Sequence, residues 1–174
     1  MSAAATGLHA DQLGETLARL AAANGIRQWD LGAACSTDTS VQVDRGEAKQ
    51  LKGAQRSSIT VRVWNDDGLV GVTSTSDLSD SGLARALSGA RDASAYGNPD
   101  DTPAFSPLAT APLPELDQPI HTPRGILQLL DTLKDAERQL LDRHDAIGTV
   151  PYNGLAERSS ERIYLNSEGA CRQQ

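Results

Sequence analysis

Leu13, Leu17, Leu20 and Ala21 recur at the spacing that gathers apolar side chains on one face of a helix, and they predict a helix from about Asp11 to Asn24. Asp11 is a candidate cap for its first turn, and Asn24-Gly25 is a stop signal, because both residue types tolerate the left-handed backbone that ends helices. Trp29 to Ser36 then reads as a short apolar strand. Val41 and Val43 alternate with Gln42 and Asp44, Arg45-Gly46-Glu47 makes a turn, and a polar return strand runs to about Ser57. Ile59, Val61 and Val63 alternate with Thr60, Arg62 and Trp64, the period of a half-buried sheet. Asn65-Asp66-Asp67-Gly68 is a hairpin turn whose Asp-Gly pair supplies positive φ angles, and Leu69 to Thr73 returns antiparallel.

A second helix follows, capped by Asp77 or Ser79, with Leu83, Ala86, Leu87, Ala90 and Ala93 as its buried stripe. The alanines in that stripe predict a close approach to whatever it packs on. Periodicity is then lost: seven of the chain's eight prolines lie between 99 and 123, so residues 97–122 are expected to be a proline-rich crossover, either functional or draped over a surface. A third helix is expected from about Pro123 to Arg143, with Ile126, Leu129, Leu130, Leu133, Ala136, Leu140 and Leu141 on its apolar face and Lys134, Asp135, Arg138 and Asp142 towards solvent; Pro123 suits its first turn. Strands are expected over 146–152 and 161–165, followed by a turn at Asn166-Ser167-Glu168-Gly169. The chain stops five residues later, so the last hairpin is expected to be incomplete and the chain to be part of a longer protein.

These elements predict an α+β fold, a largely antiparallel curved sheet (a meander plus C-terminal strands) packed with about three helices. One domain is expected over residues 1–174, with a flexible terminus over 1–9. Its core must come from Leu, Val, Ile and Ala, since the aromatics are 2 Trp, 3 Tyr and 1 Phe. That scarcity argues against base- or sugar-stacking platforms, and a net charge of −7 argues against a nucleic-acid surface. No apolar run approaches the ~18 residues of a membrane span, and the N-terminus lacks a signal-peptide pattern. Cys35 and Cys171 stand alone, which fits a reducing compartment and two buried or half-buried thiols; a cytoplasmic protein is expected.

Residues that could carry chemistry are scattered. His9 is expected in a mobile terminus, His121 in the crossover, and His144 just past a helix end, where a cation is favoured; no pair of them has zinc-gripping spacing. There is no Gly-x-Ser-x-Gly elbow, Gly-x-Gly-x-x-Gly loop or P-loop. Ser74 to Ser79 could cradle an anion at a helix start, although capping explains it equally. Asp66-Asp67-Gly68 lacks the alternating ligands and distal Glu of a calcium loop. Hence no catalytic, cofactor-binding or metal-binding residue is assigned. A sheet with polar strand edges can, as a general property, accept an extended peptide as an added strand.

The order of features carries a resemblance. Ser40-Val41-Gln42-Val43-Asp44-Arg45-Gly46-Glu47, the Ile59–Val63 strand with its Asp-Gly hairpin, Gly71-Val72-Thr73-Ser74-Thr75-Ser76-Asp77-Leu78-Ser79, the alanine-rich helix, the crossover and Leu165-Asn166-Ser167-Glu168-Gly169 together resemble the N-terminal domain of the TldD/PmbA family, over about residues 10 to 172. The Ser74–Ser79 segment is more similar to the PmbA (TldE) branch. Members were once called modulators of DNA gyrase and are regarded as subunits of peptidase complexes that process a microcin precursor and degrade an antitoxin. The resemblance implies a zinc site, His-Glu-x-x-x-His, in a C-terminal half of TldD-type members; no residue here matches it, so no zinc is expected in this chain and no activity from it alone. It also implies pairing with a TldD-like subunit, or a homodimer, around a chamber that admits unfolded or extended peptides. The alternative is a regulatory module acting by protein contact alone, for example on DNA gyrase.

Overall fold

The computed structural model describes residues 8–112 and 122–174. The elements run α1 (Ala10–Ala23), β1 (Gln28–Asp44), β2 (Glu47–Trp64), β3 (Val70–Thr75), α2 (Asp80–Ser94), a single 3-10 turn (Pro99–Asp101), α3 (Ile126–Leu141), β4 (Gly154–Asn166) and β5 (Cys171–Gln173). The five strands form one sheet in the order β3-β2-β1-β4-β5. Antiparallel pairing sets Ile59 opposite Thr75 and Trp64 opposite Val70 in β2–β3, and Tyr164 opposite Arg172 in β4–β5. The fold is the α+β arrangement of three helices and a largely antiparallel sheet that the patterning predicts.

Several boundaries differ for identifiable reasons. The segments 29–36 and 41–44 are one strand, β1, and the polar return strand continues unbroken into Ile59–Trp64 as β2. Thr, Ser and Gln between the apolar stretches are good strand residues on a solvated surface, so loss of hydrophobic alternation does not end the strand. Arg45 and Gly46 both have positive φ, 53° and 77°, as a two-residue hairpin loop requires. At Asn65–Gly68 only the glycine is left-handed; Asn65 instead organises the turn by accepting from the N–H groups of Asp67 and Leu69. Asn166 accepts from Glu168 and Ala170 in the same way.

The 146–152 stretch is not a strand: Gly148 and Pro151 interrupt it, and Tyr152 has φ of 57°. β4 starts instead at Gly154. The last hairpin, expected to be incomplete, does close: the three residues of β5 pair with β4, and Gln174 exchanges backbone hydrogen bonds with Arg162. α1 is preceded by His9, which makes no side-chain cap, so Asp11 lies inside the first turn and His9 is an ordered N-cap position. Its end is as expected, with Gly25 left-handed and Ile26 N–H donating to the Ala21 carbonyl. α3 begins after Gly125, leaving Pro123 outside the helix.

The chain folds as two compact units, one drawn from 1–35, 56–115 and 161–174, the other from 36–55 and 116–160. In the first, Leu13 and Leu17 of α1, Leu83 and Leu87 of α2, and Leu31, Ile59, Val61, Val63, Ile163 and Leu165 of the strands make the core. In the second, Val41 and Val43 pack against Leu129 and Leu133 of α3. Here the buried face of α3 departs from its apolar pattern: Ala136 and Leu140 are exposed, whereas Glu137 is 2% exposed. No described helix is long and apolar enough to cross a membrane.

Candidate functional site

Strand parity sorts the first unit's side chains onto two faces. The odd-numbered residues Trp29, Leu31, Ile59, Val61, Ile163 and Leu165 enter the core, so Asp30, Arg62, Trp64 and Tyr164 stand on the other face. Asp30 is 2% exposed and is matched there by charge and hydrogen bonds. Arg62 Nε donates to it at 2.9 Å, Arg62 Nη2 donates to the other carboxylate oxygen, and the Tyr164 hydroxyl donates at 3.2 Å. The hydrogen bonds that Arg62 donates to Asp30 raise the affinity of its guanidinium for its proton, against a smaller opposing effect of burial. Burial, and then the charge of Asp30, push the Tyr164 phenol above its ordinary range. The Arg62 guanidinium carbon also lies 5.2 Å from the Trp64 ring centre, a cation–π stack.

The proline-rich crossover meets this same face. The Trp64 indole N–H donates to the Pro103 carbonyl at 3.0 Å, Phe105 meets the Trp64 ring edge-on with centres 4.9 Å apart, and Arg172 Nη2 donates to the Ala111 carbonyl. Residues 99–112 are thus draped over a surface, one of the two roles expected for a segment of this composition; 113–121, with His121, lie outside the described residues.

In the second unit the notable feature is an edge. β3 pairs with residues 59–64 of β2, so Glu47 to Ala54 carries no strand on its outer side among the described residues. Glu47 to Gly53 is exposed throughout, Leu51 at 46%, and a Cβ on Gly53 would meet nothing within 4 Å. Such an edge presents alternate N–H and C=O groups outward, and Lys49 and Lys52 discourage it from pairing with a like edge. The hairpin that carries it is anchored from inside: Glu137 of α3 accepts from the N–H of Arg45 at 3.2 Å and of Gly46 at 2.6 Å. Nothing in the apolar periodicity of α3 marks Glu137; the signal available is its place four residues after Leu133, in the buried row.

The sequence candidates are not brought together. His9 precedes α1, and His144 Nδ1 accepts from the Ala146 N–H just beyond α3. Cys35 is buried and Cys171 exposed, correcting the expectation that both thiols are at least half covered. The Ser74–Ser79 segment is a cap: Ser79 Oγ accepts from Gly82 N–H, and Asp77 accepts from both the N–H and hydroxyl of Ser79. Those hydrogen bonds, and then Arg85, pull the Asp77 carboxyl below its usual range, and a carboxylate already seated there excludes a bound anion. Asp66 serves the turn and pairs with Arg27. Among the described residues no three His, Cys, Asp or Glu side chains converge to hold a metal ion.

Residues 35–94 match the sequence model described as PmbA/TldA metallopeptidase domain 1. No curated protein matches the chain in sequence. Among solved structures, a protein named as a modulator of a DNA gyrase from Thermotoga maritima is 15% identical over 94% of this chain and 36% of that one, with a TM-score of 0.70. TldE from Thermococcus kodakarensis is 18% identical over 95% and 36%, with a TM-score of 0.63. A second protein named as a modulator of DNA gyrase, from Bacteroides thetaiotaomicron, is 17% identical over 94% and 38%, with a TM-score of 0.69. At these identities the likeness is one of fold, and this chain spans little more than a third of the length of each structure.

Proposed function

We propose that this chain is a TldD/PmbA-type N-terminal domain, a reading supported by the match of residues 35–94 and by the likeness of fold, and that it serves a metallopeptidase subunit without supplying catalytic atoms, helping to assemble the subunit and to admit unfolded or extended peptides. The observation that carries this reading is the edge of β2 from Glu47 to Ala54. An extended peptide adding there would be recognised by its backbone, whatever its sequence, while a folded protein could not present a free strand. In this reading, zinc held by the other half of a TldD-type subunit would supply the bond-cleaving chemistry, and this chain would meet that subunit as a partner in the cytoplasm.

The test uses the full-length subunit reconstituted with a TldD-like partner and zinc. Lys49→Pro and Gln50→Pro are compared, because neighbouring N–H groups of a strand point to opposite sides; one proline breaks the bond to β1 and the other blocks the open edge. The variant that stays folded should cleave unstructured peptides about tenfold more slowly, the effect of one or two lost ladder bonds. Undiminished cleavage by both prolines, or none by the unmodified complex, would sink the reading. The contact-only alternative is separated by affinity capture: recovery of gyrase in place of a TldD-like subunit would favour it.

A further inference from the structure

The open edge of β2 is charged in one sense. From Ala48 to Ala54 it carries the ammonium groups of Lys49 and Lys52 and no carboxylate, in a chain whose net charge is −7. Other cations of the second unit are matched by carboxylates: Arg124 pairs with Glu157, Arg138 with Asp135 and Arg158 with Asp38. Neither edge lysine has an ion-pair partner among the described residues. A like edge is repelled by these charges, whereas a strand bearing carboxylates is attracted.

Strand parity puts Lys49, Leu51 and Gly53 on one face of β2 and Lys52 on the other. The two ammonium groups are therefore three residues apart and on opposite faces, with Leu51, 46% exposed, between them. A strand added in either direction answers both only with two carboxylates three residues apart, one on each of its faces, and an apolar residue between them. Beside Leu51, Gly53 leaves open space, since a Cβ there would meet nothing within 4 Å, and a ring on the added strand has room to lie over Leu51. Lysine suits such a rim, because its ammonium is a point charge on a flexible stem and does not impose the fork geometry of arginine.

We propose that the β2 edge selects acidic extended peptides, with two carboxylates three residues apart around an apolar side chain. The inference rests on the reading of that edge as a site of strand addition and names the class of peptide it takes.

The probe is the fluorescein-labelled peptide Thr-Thr-Glu-Tyr-Tyr-Glu-Thr-Thr, whose pattern fits the edge in both strand directions, titrated by anisotropy against the full-length subunit. The control has Lys in place of each Glu, and the net charge of the chain by itself would favour that control. The acidic peptide should bind about tenfold more tightly, the effect of two opposite-charge cross-strand pairs in place of two like-charge ones. The double variant Lys49→Glu, Lys52→Glu changes two exposed positions, costs the fold little, and should reverse the preference. Thr-Thr-Glu-Tyr-Glu-Tyr-Thr-Thr, with both carboxylates on one face, should bind about threefold more weakly than the first probe. Equal binding of the acidic and basic peptides, equal binding of the two acidic ones, or no reversal in the double variant would overturn the proposal and leave strand addition at the edge standing. Binding of the acidic peptide that survives both Lys49→Pro and Gln50→Pro lies elsewhere and overturns it too. No binding of any peptide would overturn it together with the reading it rests on.

Discussion

A Cβ placed on Gly71 would stand 2.0 Å from the Ala90 carbonyl oxygen and 2.3 Å from the Ser94 nitrogen, both backbone atoms of α2. The alanine stripe of α2 predicts a close approach, and Gly71 is its other half: both surfaces lack side-chain bulk at the crossing. Neither backbone can rotate away, so Gly71→Ala should lower the stability of the first unit by about 3 kcal/mol, read from a urea titration. Gly53 is the control, because its Cβ would meet open space. Glu137 is the second residue whose role is set by its surroundings. It takes two backbone N–H groups of the β1–β2 turn, and Glu137→Ala should cost about 1–3 kcal/mol by leaving them unmatched. The check is amide exchange: Arg45 and Gly46 should lose protection in the variant, whereas the Asn65 turn should keep its own.

At the scale of elements, the start of α2 shows how a polar segment can be fully occupied by its own structure. Asp77 binds Ser79 and Arg85, Ser79 binds Gly82, and Gly82 itself sits so close to the Asp77 carbonyl that a Cβ would stand 2.3 Å away. Asp77 has its pKa lowered by folding, so its contribution is complete above the usual carboxylate range and is lost as pH falls through that range and below it. Asp77→Asn should therefore lower stability at neutral pH, where that contribution is complete, and converge on the unmodified protein below about pH 4, so that the acid limb of its stability–pH profile is flatter. A profile parallel to that of the unmodified protein would show that this carboxylate is not the group being titrated. The strands teach a complementary lesson. β1 and β2 each read as two pieces, because a solvated stretch carries no alternation, yet the ladder between two antiparallel partners continues regardless of what the side chains face.

For the whole molecule, the two units differ in what holds them. The first unit is closed by two helices and a core that includes Leu17, Leu31, Ile59 and Leu87, all at or near zero exposure. The second relies on Val41, Val43, Leu129 and Leu133, with Ile126, Leu130 and Leu155 partly covered. Local opening free energy follows buried apolar contact, so α3 amides should exchange faster than α2 amides under native conditions. Equal protection would mean that the chain opens as a single cooperative body. Leu129→Ala, a fully buried position, should widen the difference.

The periodicities and turn residues alone determined three helices, the antiparallel meander and the turns at Arg45, Asn65 and Asn166, since each of these is written in spacings of a few residues. Tertiary structure alone decided which polar residues are buried and which strand is left with an open edge. Asp30 and Glu137 look like surface residues because their partners lie 32, 92 and 91 positions away, and β2 has an edge because β3 is shorter than the strand it pairs with. The crossover was legible as a proline-rich segment, but that it lies on Trp64 and Arg172 was not: contacts between a chain without periodicity and the face of a sheet leave no pattern along either one.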